Sequence, residues 1–411
     1  MRINKDIYSR LYFVTFIVVT LYLFRYYTYI EIYFNKTWFL GYVALFMSAP
    51  LFIVSLRRYK SEHSLLLFIC ALLVLTVGVN SGQLKSLWLT FVLAIGAKGI
   101  PCRSIIKVHF TLILGLCLMN VIGDAMGFSH SNVAVVNRTN VFDLAFKRRD
   151  FGYGWATDFA NHVIFILLDY MLIRNGMLRL LEYVVYIAMG WVCIAFCDAR
   201  LAAICIVFLI VCSIYVRLFN NREWHLSKLK SFFLIYGILG FAVIAIGVTM
   251  LFNSSNLTWL AIDYVLSGRL HFGQDFIHDA GFSFFGQDYK LYGMRDMDKI
   301  GSEYNYVDSS FVQFIIKWGI VLFTLLILAF IRIGERAYKR NDVNMLLMLF
   351  TACITGLICQ FLFKIVYSVW PLLIFARMER SSNMSTNLEQ IKKLLKIHKN
   401  DNRNTYITIS H

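Results

Sequence analysis

Apolar runs of membrane-spanning length follow one another along almost the whole chain, joined by short polar turns, and this repetition restricts the fold more than any motif. A helix needs roughly 20 apolar residues to cross the hydrocarbon core of a bilayer, and about twelve runs qualify. They centre near residues 19, 47, 72, 92, 115, 165, 189, 208, 242, 322, 351 and 368. Hydrophobic residues make up 59% of the 411, mean hydropathy is +0.64, and there are only three prolines. A soluble domain does not need that much apolar side chain. The expected fold is an all-α integral membrane protein of about twelve transmembrane helices, with one long outer loop between two late helices.

The divisions follow from hydropathy. Residues 1–252 form the first helix set, 253–310 the long loop, 311–376 the last helices, and 377–411 a basic tail with no apolar run of its own. The first run, Leu11 to Phe24, shows no small-residue cleavage pattern and is expected to stay as the first span.

Lys and Arg accumulate in cytoplasmic loops. A cytoplasmic N-terminus puts most of the 40 basic residues inside, including Arg57, Arg58, Lys60, the Arg217 to Lys230 and Arg332 to Arg340 clusters and the tail. The first two short outer loops then hold only Lys36 and Lys85. Both termini are therefore expected inside. The formal charge of +16 follows from those loops and the tail, whose lysines suit anionic lipid, so nucleic acid is not an expected partner. The nine cysteines lie in or beside apolar runs, which indicates neither a disulfide framework nor a metal site.

Three polar elements emerge on the outer side in this topology: Gly123 to Thr157, the Asp198-Ala-Arg200 turn, and Asn253 to Ser310. Arg200 sits between two apolar runs with almost no loop around it. It is either paired with Asp198 or snorkelling, or it faces a polar cavity and suits phosphate oxygens. Arg149 ends a Lys147-Arg148-Arg149 triplet that runs into Asp150-Phe-Gly-Tyr-Gly-Trp155, and Asp158 opens the following span. The long loop holds Arg269, a candidate anion binder, with His271, His278, Asp279, Glu303 and Asp308 as candidate proton acceptors. Asp169 is a carboxylate well inside a span, either lining a polar path or structurally hydrogen-bonded. No P-loop, dinucleotide fingerprint or HExxH occurs, which counts against ATP-driven transport and zinc proteolysis.

Arg149-x-x-Gly152 leading to Thr157-Asp158-Phe-Ala, Asp198-Ala-Arg200, Ser267-Gly-Arg269, and Asp308-Ser-Ser-Phe311 followed by Gly319 together resemble the Wzy-type repeat-unit polymerases. These integral membrane enzymes build O-antigen, capsule or exopolysaccharide chains. The resemblance spans most of the chain. It implies polyprenyl-pyrophosphate-linked oligosaccharide substrates at the inner membrane of a bacterium, with no cofactor, nucleotide sugar or obligatory metal. A chain-length regulator and a flippase are the implied partners. Arg149, Arg200 and Arg269 are then expected to bind the pyrophosphate, and Asp308, with His271 and Asp158 behind it, to accept the proton. A lipid-linked oligosaccharide flippase and an O-antigen ligase share most of these features and stay as alternatives.

Overall fold

The computed structural model describes residues 5–28, 38–128, 134–136, 146–219, 228–266, 268–292 and 305–379. Ser267, Glu303, the side chain of Lys147 and the tail from residue 380 onward lie outside the described residues. The described residues are mostly helical. In order, the helices are α1 (Lys5–Phe24), α2 (Trp38–Leu56), α3 (Ser61–Asn80), α4 (Leu84–Gly96), α5 (Cys102–Ala125), α6 (Ala156–Ile173), α7 (Leu180–Ala195), α8 (Arg200–Phe219), α9 (Lys228–Leu251), α10 (Leu257–Val265), α11 (Arg269–Ala280), α12 (Ser310–Tyr338), α13 (Val343–Ile358) and the single turn α14 (Trp370–Leu373). Strands β1 (Ala134–Val136) and β2 (Phe146–Arg148) form a small antiparallel ribbon in which Val135 faces Lys147.

Among the described residues, eight helices are long and apolar enough to cross a membrane: α1, α2, α3, α5, α6, α8, α9 and α12. The shorter α4, α7 and α13 are apolar too. Their outward faces carry the side chains that a soluble protein buries, such as Leu65, Ile69, Leu180, Ile187 and Val243, as lipid contact requires.

The run centred near residue 368 departs from the helix expected there. Residues 359–369 hold no helix, and among the described residues only the four of α14 follow. Pro371 stands in the first turn of α14, where its missing amide donor is tolerated, whereas a helix continuing from residue 359 would hold it in its interior. The segment is nonetheless buried: Cys359, Leu362, Phe363, Tyr367, Val369 and Trp370 are at most 3% exposed. Irregular backbone inside a bundle must find its hydrogen bonds there. Leu362 N donates to Ser310 Oγ at 3.2 Å, the Cys359 carbonyl accepts from Ser310 Oγ at 2.5 Å, and the Ile365 carbonyl faces His109 Nε2 at 2.9 Å. His109 Nδ1 is in turn 2.5 Å from the Asp169 carboxylate. Asp169 therefore has its carboxylate on His109, and the pair anchors the irregular segment to α5 and α6. At its far end the segment reaches the start of α5, where Cys102 N donates to the Arg377 carbonyl.

Helix α12 is bent. Gly319 has φ 79° and ψ 163°, open only to glycine. A straight helix of 29 residues is roughly 43 Å long, whereas the 16 residues of α13 span roughly 24 Å. The two start from one short turn, yet Ser310 N meets the Cys359 carbonyl at 3.1 Å. Turning the Ser310 to Trp318 part across the bundle reconciles these lengths. The freed backbone groups are taken by the segment after α11: Ile320 N bonds the Ser283 carbonyl, Val321 N the Phe284 carbonyl, and Gln287 N the Lys317 carbonyl, at 2.9 to 3.2 Å.

Candidate functional site

The stretch between α9 and α12 is built around the start of α11. Asn256 caps α10 by accepting from Thr258 N at 2.8 Å. The buried Asp263 carboxylate, near the end of α10, accepts from Leu270 N at 2.8 Å and His271 N at 3.3 Å, placing a negative charge at the amide end of α11. Gly268, with φ +79°, makes the turn between the two helices. Arg269 is thus fixed as the first residue of α11.

Its guanidinium donates from Nη1 to the Leu266 carbonyl at 2.8 Å and from Nη2 to the Asp308 carboxylate at 2.9 Å. Nε is buried with no partner among the described residues. The Arg269 side chain is 21% exposed. Phe276 of α11 packs with Val307, Val312 and Ile316, which holds residues 305–309 against α11. Burial pushes the Asp308 carboxyl above the ordinary carboxylate range, and the Arg269 charge and hydrogen bond pull it back only in part.

Behind Asp308 stand groups from three other elements. Gln313 Nε2 donates to the Val307 carbonyl at 3.1 Å and to Gln360 Oε1 at 2.9 Å, and Gln360 Nε2 bonds the Tyr306 hydroxyl. Lys364 Nζ, from the irregular segment, donates to the same Gln360 Oε1 at 3.0 Å and lies 5.4 Å from the centre of the Tyr27 ring. Asp158, buried in the first turn of α6, is close enough to Lys364, Asp308 and Tyr27 for their charges to interact. Two carboxylates and two cations therefore lie within electrostatic range at one end of the bundle, where α6 and α12 begin and α13 ends. Such a cluster can hold an anion on its cations while a neighbouring carboxylate takes a proton.

The structure brings Asp308, Arg269 and Asp158 together, and adds Lys364, Tyr306 and Gln360, which sequence reasoning passed over. The overlooked signal was a lysine and a glutamine inside an otherwise apolar run, since a charge within a span usually serves a function.

The other expected residues lie elsewhere. His271 projects from α11, half exposed, 3.3 Å from Asp275, its neighbour one turn on. Arg200 is 63% exposed, and its Nε is 3.3 Å from Asp198, which also takes Arg148 at 2.8 Å. The salt bridge to Asp198 is thus the reading of Arg200 that its contacts favour. Arg149 is half exposed, 3.4 Å from the Asp124 carboxylate, with its charge over the Phe151 ring. Its backbone N bonds the Phe196 carbonyl at 2.8 Å, which joins it to the Asp198 turn. The Asp150 to Trp155 turn packs tightly there: Phe151 and Gly152 both have positive φ, and Asn120 Nδ2 donates to the Phe151 carbonyl at 2.9 Å. Arg148, Arg149 and Arg200 form a second, more open basic patch. Among the described residues no contact ties it to Arg269 or Asp308.

Comparison of the chain with protein-family models, with curated proteins and with solved structures finds no match in any of the three.

Proposed function

We propose that this chain is a glycosyltransferase that joins polyprenyl-pyrophosphate-linked oligosaccharide repeat units into a surface polysaccharide. The observation that carries the reading is the half-buried Arg269–Asp308 pair, with Asp158 near enough to feel both Asp308 and Lys364. In this reading the chain crosses the membrane twelve times, by α1 to α9, α12, α13 and the irregular segment, with both termini in the cytoplasm of a bacterium. The cluster then opens on the outer face of the inner membrane.

The reaction follows from these residues. An acceptor sugar hydroxyl attacks the anomeric carbon of the donor chain, and the bond from that carbon to the lipid pyrophosphate breaks. The leaving oxygen keeps the bonding electrons, and its growing charge is met by Arg269 and Lys364. The hydroxyl proton passes to Asp308, with Asp158 beside it. Arg149 and Arg200 hold pyrophosphate at the more open patch before or after transfer. A chain-length regulator is a fitting partner on the outer surface.

A second reading, a lipid-linked oligosaccharide flippase, draws on the irregular segment: transporters place broken helices at their substrate sites. Reconstitution of the purified protein with a lipid-linked repeat unit decides between them. A ladder of lengthened products that disappears in Arg269→Ala supports the polymerase. Transbilayer movement without lengthening supports the flippase, and consumption of a second lipid acceptor supports a ligase.

A further inference from the structure

Behind Asp158 a column of titratable side chains continues into the bundle. Asp158, His162 and Asp169 are four and seven residues apart on α6, a spacing that returns each to the same stripe of a helix with 3.6 residues per turn. All three are buried. The rise from Asp158 to Asp169 is roughly 16 Å, about half of a hydrocarbon core roughly 30 Å thick. Asp169 lies one turn from the last residue of α6, so the stripe covers most of that helix.

His162 is wholly buried. Its Nδ1 lies 3.0 Å from the Asp158 carbonyl oxygen. A carbonyl only accepts, so Nδ1 carries the hydrogen and Nε2 the lone pair. Among the described residues that Nε2 has no partner. The hydroxyl of Tyr367, whose ring centre is 3.7 Å from that of His162, has none either, nor does Ser368 Oγ beside it. A buried lone pair and two buried hydroxyls left unpaired around one irregular segment are what internal water satisfies.

The column then reaches His109. Its two ring nitrogens face the Ile365 carbonyl and the Asp169 carboxylate. Both are acceptors, so the pair holds a proton between them in addition to the one on Nε2. His162 is faced by Tyr153 from the turn before α6, by Tyr367 from the irregular segment, by His109 from α5 and by the apolar ring of Phe24 from α1. His109 is faced by Asp169 and His162 from α6 and stacks on Phe16 of α1.

We propose that this column is a hydrated proton relay, in which water held between His162 Nε2, Tyr367 and Ser368 passes protons from the Asp158 end to the His109–Asp169 pair. Each arriving proton adds to the Nε2 lone pair and gives an imidazolium, and the same nitrogen yields a proton to the next water, since the Nδ1 hydrogen stays hydrogen-bonded to the Asp158 carbonyl. No electrons move, and each proton carries one positive charge along the helix axis. The relay shares Asp158 with the proposed transfer site, while His162, Tyr367 and the His109–Asp169 pair lie outside it, so proton conduction can be read without sugar transfer.

The test is proton flux in liposomes that contain the full chain and a trapped pH-sensitive dye, driven by a potassium diffusion potential. Flux above that of protein-free liposomes is expected, falling to the protein-free rate in His162→Gln. Tyr367→Phe removes one unpartnered oxygen while keeping the ring, so it decides the matter where His162→Gln does not insert, and a lowered flux is expected from it. Wild-type flux no greater than that of protein-free liposomes overturns the relay. So does undiminished flux in inserted His162→Gln, or in Tyr367→Phe when that variant stands alone.

Discussion

Gly319 and Gly286 close on each other so tightly that a methyl group on Gly319 would lie 2.4 Å from Gly286 N, and one on Gly286 would lie 2.7 Å from the Lys317 carbonyl oxygen. Both glycines have φ near +80°. Substitution meets two obstacles at once, a disfavoured backbone conformation and a clash with main-chain atoms that cannot swing away. Gly319→Ala is expected to destabilise the protein by at least about 1–3 kcal/mol, read as a lower unfolding temperature in detergent. Ala at Gly247, beside which nothing lies within 4 Å, is the control that should be nearly silent.

Arg269 and Asp308 are predicted to be unequal to their conservative replacements. Arg269→Lys keeps the charge but loses the planar fork that spans the Leu266 carbonyl and the Asp308 carboxylate. Polymerisation in the reconstituted system should fall by about tenfold or more, the equivalent of roughly 1.4 kcal/mol in the barrier. Near-normal product ladders from Arg269→Lys, at equal amounts of inserted protein, would remove this residue from the site.

The pH profile carries a sign that can be checked. A carboxylate that accepts a proton must be ionised, so activity falls as pH drops through its pKa. Burial raises the Asp308 value and Arg269 opposes that rise. The acid limb of activity should therefore lie above the ordinary carboxylate range near 4. Arg269→Gln removes the opposing charge, so the limb of its residual activity should move to higher pH. A limb that stays in place in that variant assigns the titration to another group.

The His109–Asp169 pair is predicted to be a structural anchor as well as a relay terminus. Removing one partner of a buried charged pair costs about 3–5 kcal/mol, and here it also orphans the Ile365 carbonyl. His109→Ala should lower the unfolding temperature and raise amide hydrogen exchange selectively over residues 359–369. Uniform exchange across α5, α6 and that segment would show that the pair holds nothing in particular.

At the basic patch the order of effects should follow exposure. Arg148 is 19% exposed and Arg200 63%, on the same Asp198 carboxylate. Exposed pairs contribute about 0–1 kcal/mol, so Arg200→Ala should be almost without effect on stability while Arg148→Ala is measurably worse. Thermal unfolding of the two variants side by side reads the difference.

Much of the helical scaffold is legible in the sequence because lipid imposes one rule, a long apolar run, on every crossing helix. The rule fails at residues 359–369 because hydropathy measures transfer to hydrocarbon, and that segment is surrounded by protein. Its backbone is satisfied by Ser310 and His109, whose partnership spans 256 residues of chain in the case of His109. Asp308 and Arg269 are legible because a polar stretch between apolar helices is where chemistry has room. Lys364 is hidden because a window average dilutes one charge among apolar neighbours. Arg200 looks buried in sequence, since apolar runs flank it, but as the first residue of α8 it stands at a helix end with its side chain in the open.

The bend in α12 also fixes an order of events during synthesis. The carbonyl of Lys317 and the amides of Ile320 and Val321 find their partners in residues 283–287, which leave the ribosome before α12 does. As α12 emerges, the backbone groups that its broken turn pairs with in the folded chain are already synthesised. A chain with the same residues in the reverse order would have to deliver that turn to lipid with its polar groups bare.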